Sequence, residues 1–420
     1  MEHVEVPAVQ SPSRSIPRVA PRAYDYVRQV LDFGFRNAHS VGMTARLERE
    51  FAERFGQKYG IAHCNGTATM QSALMAAGVG VGDEVIVPSF TVFSTPAAVL
   101  HCNAVPIIVD VDPETWTISV DAIRAHITPR TKAIIPVAIC GLPADMHPIM
   151  ELAAAHDIVV MEDNAQCILG HYKGRVAGSI GHFASFSFQS SKTITCGDGG
   201  ILVCSDDELA LAARKAATIG FKDLTLKPGD NVVSEQLRCH PDYQRHDSFG
   251  WNQRLPEIAA AVALAELERV DELAEMRTYA ASAFDRVVNE CDWMIAQKTP
   301  EGYVNAYWTY TARIAREDIV WADVRAAFVE RGGDGFYGSY QPAHLEPFFA
   351  KLNRAVDENP ERFPHFAERL PRYESGSCPV WEGIQPRSVM LKTNYFNTRD
   401  ADRQAEILAE TLALFAAETA

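Results

Sequence analysis

The stretch IVVMEDNAQ, residues 158–166, decides the fold class of this 420-residue chain, because an apolar β-branched run ends directly in carboxylate and amide side chains. Similar apolar runs occur on both sides of it: EVIV at 84–87, VPIIVDV at 105–111, AIIPVAI at 133–139, FASFSF at 183–188 and ILV at 201–203. Helix-like segments lie between several of these runs, at 67–77, 120–127 and 147–156. Continuous apolar strands that alternate with helices predict an α/β fold, with a mainly parallel central sheet and helices on both faces.

Chain length and composition predict three regions. A chain of 420 residues is too long for one hydrophobic core. We expect an N-terminal arm at 1–37, a large α/β domain at 38–276 and a small C-terminal α+β domain at 277–420. The segment 256–276, rich in Ala, Leu and Glu, is predicted to be one helix that leads into the small domain. The polar segment 222–249 is predicted to be a long surface loop.

The charge balance narrows the class of partner. Lys and Arg number 39 against 54 Asp and Glu, which gives a formal charge of -15 and argues against nucleic acid or an anionic membrane as a partner. No apolar run reaches the ~18 residues of a membrane span, and the N-terminus lacks the apolar stretch of a signal peptide. The nine cysteines are scattered without C-x-x-C spacing, so we expect reduced thiols, no structural metal and a cytoplasmic location.

Three short motifs carry candidate chemistry. In NGTAT, residues 65–69, a glycine turn and a hydroxyl open a helix, which is typical of an anion site and also of an ordinary helix cap. Asp163 follows an apolar strand, where a carboxylate either faces a cation or caps the next turn. Lys192 ends the run SFSFQSSK, residues 185–192; desolvation would lower its pKa and free the amine to attack a carbonyl, whereas a surface loop lysine is the alternative.

The order of these motifs is more specific than any one of them. An anion cradle, then a carboxylate after a central strand, then a lysine among small hydroxyl residues is the arrangement that pyridoxal phosphate requires. The cradle would hold the phosphate, Asp163 would face the pyridinium nitrogen, and Lys192 would be the Schiff-base lysine.

At this point the chain resembles the DegT group of sugar aminotransferases, which are fold-type-I pyridoxal-phosphate transferases. The resemblance extends from about residue 38 to the C-terminus. It is carried by NGTATMQSAL, GDEVIVPSFT, VDVDPETWTI, TKAIIPVAICG, VMEDNAQ, FSFQSSKTITCGDGG and FGWNQRLPEIAAAVALAELERVDEL. It implies a ping-pong transaminase of carbohydrate biosynthesis that moves an amino group from glutamate or glutamine to a keto sugar, usually nucleotide-linked. A keto-cyclitol acceptor in aminoglycoside-type biosynthesis and a non-catalytic, cofactor-binding regulatory protein are the alternatives.

The resemblance also implies roles for individual residues around the cofactor. Lys192 would bond to the cofactor and later shuttle a proton, and Asp163 would keep the ring nitrogen protonated. Gln166 would lie against the ring hydroxyl. The phosphate would be held by three residues: Gly66, Thr67 and Ser187. The family usually has an aromatic residue over the ring where this chain has Val92, so either Val92 or the neighbouring Phe93 would cover the ring.

Two further features concern the partner subunit and the substrate. In this family an Asn in a G-x-N-x-R stretch reaches the phosphate of the neighbouring subunit's cofactor. Here that residue is Asn252, which implies a homodimer with shared active sites. Three residues are expected to contact the substrate: Arg254, Tyr337 and His344. For Arg254, a salt bridge at the subunit contact is the alternative. Tyr337 and His344 lie in or just after an aromatic, Gly-rich stretch at 331–340, for which a turn with packed aromatic residues is the alternative. No metal is expected.

Overall fold

A computed structural model of the chain describes residues 13–35, 42–226, 234–367 and 372–416. The helices within these ranges are α1 Arg22–Asp32, α2 Met43–Arg54, α3 Gly66–Ala76, α4 Ser94–His101, α5 Val120–His126, α6 Met146–His156, α7 Asp207–Ala217, α8 Glu235–Arg238, α9 Glu257–Leu267, α10 Val270–Val288, α11 Trp321–Glu330, α12 Pro347–Glu358, α13 Pro364–Ala367, α14 Pro379–Ile384 and α15 Thr398–Ala416. The strands are β1 Tyr59–His63, β2 Glu84–Pro88, β3 Val105–Val109, β4 Thr131–Ile134, β5 Val159–Asp163, β6 His171–Tyr172, β7 Arg175–Val176, β8 Phe183–Ser187, β9 Gly200–Cys204, β10 Met294–Ala296, β11 Tyr303–Val304, β12 Thr309–Ile314 and β13 Ser388–Lys392.

The central feature is a seven-stranded sheet in the order β1-β9-β8-β5-β4-β2-β3. Strands β8, β5, β4, β2 and β3 pair in parallel, whereas β9 is antiparallel to both of its neighbours. The predicted, mainly parallel sheet is therefore confirmed. The strand β1 was missed by sequence reasoning, because YGIAH is short and contains a glycine. The run 133–139 yields a shorter strand than predicted, since Pro136 has no N–H with which to continue the ladder.

Helices cover both faces of the sheet, as the alternation of buried side chains requires. Val85 and Val87 pack with α3, α4 and α7 on one face, while Ile86 between them packs with α5 and α6 on the other. On that second face, Ile201 and Val203 of β9 pack with α1, α2 and α9. Such burial on both faces fixes the strand register, because a one-residue slip would exchange the two sets of side chains.

The sheet brings candidate residues to one edge. Strands β5 and β8 are parallel neighbours, with Asp163 opposite Ser185, so Asp163 and Ser187 lie near the same carboxyl ends. The N-terminus of α3 lies against this edge as well, because the backbone at Asn65 and Gly66 approaches Gly200 closely. Ligands of open α/β sheets bind at this edge.

The C-terminal part of the chain has its own core. The antiparallel sheet β10-β12-β13 packs with α10, α11 and α15 around Phe284, Tyr310, Phe328 and Leu408. The proposed boundary between residues 276 and 277 falls inside α10, so the division of the chain into domains stays a proposal.

The single helix predicted at 256–276 is wrong, because the chain forms α9 and α10 with a break at Glu268 and Arg269. Arg269 donates hydrogen bonds to the carbonyls of Pro17 and Arg18 and to the Glu266 carboxylate. The Glu266 carboxylate also accepts from the backbone N–H of Ala20. Contacts with the N-terminal arm therefore replace the helical continuation.

The predicted arm and loop are only partly covered by the described residues. Residues 22–32 of the arm form α1, whose residues Ala23, Tyr26 and Val30 pack against α9; residues 1–12 and 36–37 lie outside the described ranges. The segment 222–249 contains α8, and its residues 227–233 lie outside them too. Within the described chain, no helix has both the length and the apolar character needed to cross a bilayer.

Candidate active site

A cavity of about 310 Å³ opens at the carboxyl edge of the central sheet. We call it the site cavity; it is lined by Asn65, Gly66, Thr67, Met70, Thr91, Val92, Ser94, Val137, Ile139, Asp163, Ala165, Gln166, Ser187, Gln189, Ser191, Lys192, Asp198, Trp308 and Tyr340. Seven of the residues singled out from the sequence lie in this lining: Gly66, Thr67, Val92, Asp163, Gln166, Ser187 and Lys192.

One end of the site cavity is built for an anion. The side chain of Asn65 caps α3 by accepting the N–H of Ala68 at 2.9 Å. The amides of Gly66 and Thr67 begin the helix and therefore have no intrahelical partner. A side chain at Gly66 would place its Cβ 2.9 Å from that of Ser187, so only glycine permits this approach. Free amides, a helix dipole and the Ser187 hydroxyl together suit a phosphate.

A buried carboxylate lies deeper in the site cavity. Asp163 is 5% exposed, and its oxygens accept hydrogen bonds from the Thr95 hydroxyl at 2.9 Å and the Ala165 N–H at 3.1 Å. The Thr95 hydroxyl is bonded in turn to that of Thr91, at 2.7 Å. Burial raises the pKa of Asp163, while the two hydrogen bonds and the attraction of Lys192 lower it. A cation placed against this carboxylate would favour its ionised form.

The amide of Gln166 is oriented by a strained turn. Its Oε1 accepts the N–H of Cys140 at 2.7 Å, and Cys140 adopts a left-handed conformation with φ of 59°. Because the oxygen is occupied, the amide nitrogen faces the cavity side, where it donates to the Tyr340 hydroxyl at 3.4 Å. Gln166 is therefore set to donate a hydrogen bond to an oxygen in the cavity.

The amine of Lys192 lies at the boundary between the central sheet and the C-terminal lobe. Its Nζ is 4.5 Å from the centroid of the Trp308 ring. Burial lowers the pKa of Lys192 to about 8; the carboxylate of Asp163 raises it, the guanidinium of Arg277 lowers it, and the Cys140 thiol raises it. Near neutral pH, the neutral and nucleophilic amine is therefore far more populated than in an exposed lysine.

Four of the predicted residues lie outside the lining of the site cavity. Asn252 and Arg254 are exposed, and Arg254 lines a second cavity of about 210 Å³. Tyr337 is 67% exposed, and its backbone pairs with that of Met390. His344 is 2% exposed and bonded to Glu382 at 2.9 Å, so its ring is engaged within the fold. The roles suggested for these four residues remain predictions.

Sequence reasoning assigned no role to three residues that shape the site: Trp308, Thr95 and Tyr340. Trp308 comes from the C-terminal lobe and belongs to no recognised motif, and Thr95 was hidden in α4. Tyr340 lies in the aromatic stretch that had been singled out, three residues after Tyr337. Of the two candidates for covering the ring, Val92 lines the site cavity, whereas Phe93 packs against the rings of Phe348 and Phe349.

Comparisons with known proteins agree on one family. The model of the DegT/DnrJ/EryC1/StrS aminotransferase family matches residues 19–385. GDP-perosamine synthase of Caulobacter vibrioides is 35% identical over 354 residues, covering 81% of this chain and 87% of that protein. The L-glutamine:2-deoxy-scyllo-inosose aminotransferase of Micromonospora echinospora is 34% identical over 349 residues, covering 81% of each chain. The solved aminotransferase from Psychrobacter cryohalolentis superposes with a TM-score of 0.81 at 26% identity, covering 97% of this chain and 98% of that one.

The site cavity fits the cofactor of this family. A helix N-terminus with a serine hydroxyl suits the phosphate, the buried Asp163 suits a protonated ring nitrogen, and Lys192 offers an amine with a lowered pKa. The chain therefore belongs to the DegT/DnrJ/EryC1/StrS aminotransferase family and is a pyridoxal-phosphate-dependent aminotransferase.

Proposed function

We propose that the chain transfers an amino group from glutamine or glutamate to a keto sugar, nucleotide-linked, by a ping-pong mechanism. The observation that carries this proposal is that Lys192 and Asp163 line one cavity together with the N-terminus of α3. The names of two relatives bear on the substrates. GDP-perosamine synthase supports a nucleotide-linked keto sugar as acceptor, whereas the L-glutamine:2-deoxy-scyllo-inosose aminotransferase supports glutamine as donor and a keto-cyclitol as the alternative acceptor.

Each residue has a distinct task in the proposed reaction. The cofactor, when bound, supplies an electron sink for the bonds at the substrate Cα. Asp163 would keep a proton on the ring nitrogen, and Gln166 would donate a hydrogen bond to the ring hydroxyl. Lys192 would hold the cofactor, and its amine would move a proton at the substrate Cα. Trp308 and Tyr340 supply apolar faces that exclude water and can pack against a sugar ring.

We further propose that the working unit is a homodimer. Asn252 is exposed rather than directed into its own site cavity, as the predicted reach to a neighbouring phosphate requires. Exposed apolar side chains lie close to it: Phe249, which is 71% exposed, and Trp251 are near in sequence, and Ile219 is brought near by the bridge between Thr218 and Asn252. A patch of this kind on a soluble surface is typical of a protein interface.

Mixing two inactive variants tests the shared site. Lys192→Ala removes the amine of one site, and Asn252→Asp places a negative charge against the neighbouring phosphate, so each variant alone should be nearly inactive. Random exchange of subunits makes half of the dimers mixed, and each mixed dimer has one intact site, so about a quarter of wild-type activity should return. Turnover is measured after co-refolding or co-expression. Activity that stays at the level of the single variants would exclude a site shared in this way.

A screen of acceptors tests the proposed reaction. Wild-type protein, loaded with cofactor, is incubated with glutamine or glutamate and a panel of nucleotide-linked keto sugars, free keto sugars and keto-cyclitols. With wild-type protein and a nucleotide-linked keto sugar, we expect mass spectrometry to detect the aminated product. With Lys192→Ala protein, we expect no such product. Amination of keto-cyclitols alone would overturn the acceptor assignment. Protein that holds the cofactor but exchanges an amino group with no donor would instead support the regulatory alternative.

The nine cysteines bear on location. All nine are free thiols in the structure, which suits a reducing compartment. We therefore propose the cytoplasm as the site of action.

A further inference from the structure

Arg277 is a buried cation with an unusual set of partners. It lies in α10, is 5% exposed, and makes no ion pair with a carboxylate of the described residues. Burial lowers its pKa to about 10. A buried charge without a counterion is costly to the fold. By comparison, the guanidinium of Arg214, whose side chain is 13% exposed, is paired with Glu48 at 2.9 Å. A role outside stability is therefore the natural reason for Arg277.

The hydrogen bonds of Arg277 join three segments that meet at the site cavity. Its Nη1 donates to the Trp308 carbonyl at 2.7 Å and to the Thr393 hydroxyl at 3.1 Å, and its Nη2 donates to the Ser191 carbonyl at 3.3 Å. The Ser191 carbonyl also accepts the indole N–H of Trp308 at 3.0 Å. One planar guanidinium thus ties the residue before Lys192 to both the backbone and, indirectly, the side chain of Trp308.

We propose that Arg277 is a positioning residue of the aminotransferase reaction, which fixes the Lys192 segment of the large domain against Trp308 of the C-terminal lobe. The guanidinium group holds the Ser191 carbonyl, and therefore the backbone from which the Lys192 side chain extends. The amine is thereby kept over the indole face and inside the site cavity. Reacting groups need this accuracy, because a displacement of about 1 Å can cost on the order of 10²-fold in rate.

The positive charge of Arg277 adds a second, separable effect. Three groups face Lys192 electrostatically: Asp163 and Cys140, which raise the pKa of the lysine, and Arg277, which lowers it. Loss of the guanidinium charge should therefore raise the pH at which the amine becomes reactive. A purely structural residue would change stability and leave that midpoint where it is.

The test follows Lys192 in the full-length protein without cofactor, and so does not depend on turnover. Trace acetylation with acetic anhydride is measured at Lys192 by peptide mass spectrometry as a function of pH. The wild-type midpoint is expected near pH 8. In Arg277→Met the midpoint should move up by about half a unit or more, and kcat of the loaded enzyme should fall at least ~10-fold.

Two further variants separate the effect of the Arg277 charge from that of its hydrogen bonds and from a general loss of stability. Arg277→Lys keeps the positive charge but cannot make the two-pronged hydrogen bonds of a guanidinium. The acetylation midpoint of Lys192 should therefore match that of the wild type, while kcat falls. Arg214→Met, which breaks the buried pair with Glu48 away from the site cavity, should lower the melting temperature and leave the midpoint unchanged. Wild-type kcat in Arg277→Lys would overturn the positioning role, even where Arg277→Met fails to fold. A wild-type midpoint in folded Arg277→Met would overturn the electrostatic part.

This inference rests on the proposed role of Lys192, and the two can fail separately. If Lys192 does not serve the reaction, Lys192→Ala protein keeps its turnover, whatever midpoint this position shows. If only the role of Arg277 is wrong, the wild type behaves as expected and the Arg277 variants match it.

Discussion

Lys192→Ala protein is expected to fold normally and to lose at least about 10³-fold of its turnover, together with the visible absorbance of the lysine-bound cofactor. The amine is the group that bonds to the cofactor and carries the proton, and alanine can do neither. The free energy of unfolding should not fall. The side chain contacts the Trp308 ring, but burial disfavours its charged form, so the alanine variant loses little stabilisation. Absorbance measures the lysine-bound cofactor, circular dichroism measures folding and stability, and steady-state rates measure turnover.

Lys173 offers a matched control. Its Nζ lies 4.9 Å from the centroid of the Tyr172 ring, which resembles the contact of Lys192 with Trp308, but it lies outside the site cavity. Lys173→Ala should keep both the cofactor absorbance and the rate. If Lys192→Ala were as active as Lys173→Ala, another lysine would have to carry the chemistry.

Asp163→Asn is expected to keep the cofactor and lose about 10²–10³-fold in kcat. Asparagine preserves the shape and can still accept the hydrogen bond from Thr95, but it cannot hold the ring nitrogen in its protonated form. The substitution should also have a second effect, on the pKa of Lys192, that can be measured. Since the Asp163 carboxylate raises the pKa of Lys192, its loss should move the reactivity midpoint of the lysine below pH 8 in protein without cofactor.

Thr95→Val provides the comparison for this effect. It removes the hydroxyl that donates to Asp163 and leaves the carboxylate charge in place. We expect a smaller loss of rate than in Asp163→Asn, and a lysine midpoint close to that of the wild type. Equal losses in the two variants would mean that the hydrogen bond, rather than the charge, is what the reaction requires.

The sequence sufficed for the parts of the site that are local in the chain. Asp163 and Ser187 end apolar strands, and an apolar run followed at once by polar residues marks the carboxyl edge of a buried sheet. The cap at Asn65 is likewise a signal within five residues. The pairing of Asp163 with Lys192 in one cavity was predicted from the order of the three motifs together with the family resemblance, since the lysine motif alone left a surface lysine as an alternative.

The rest depends on contacts between distant segments. Trp308 and Arg277 reach the lysine from the C-terminal lobe, and neither lies in a pattern that periodicity could identify. Tyr337 and Tyr340 belong to the same stretch, but Tyr337 pairs through its backbone with Met390 and is exposed, whereas Tyr340 lines the site cavity. His344 is likewise removed from the lining by its bond to Glu382, a residue 38 positions away.

The most direct measurement is to reduce the native, cofactor-loaded protein with borohydride and to map the modified residue by peptide mass spectrometry. Reduction makes the lysine–cofactor bond permanent, so the modified peptide identifies the lysine without reference to substrate or rate. We expect a single cofactor adduct, on Lys192, as the proposed role of this lysine requires. An adduct on another lysine, or none in protein that visibly contains the cofactor, would contradict it.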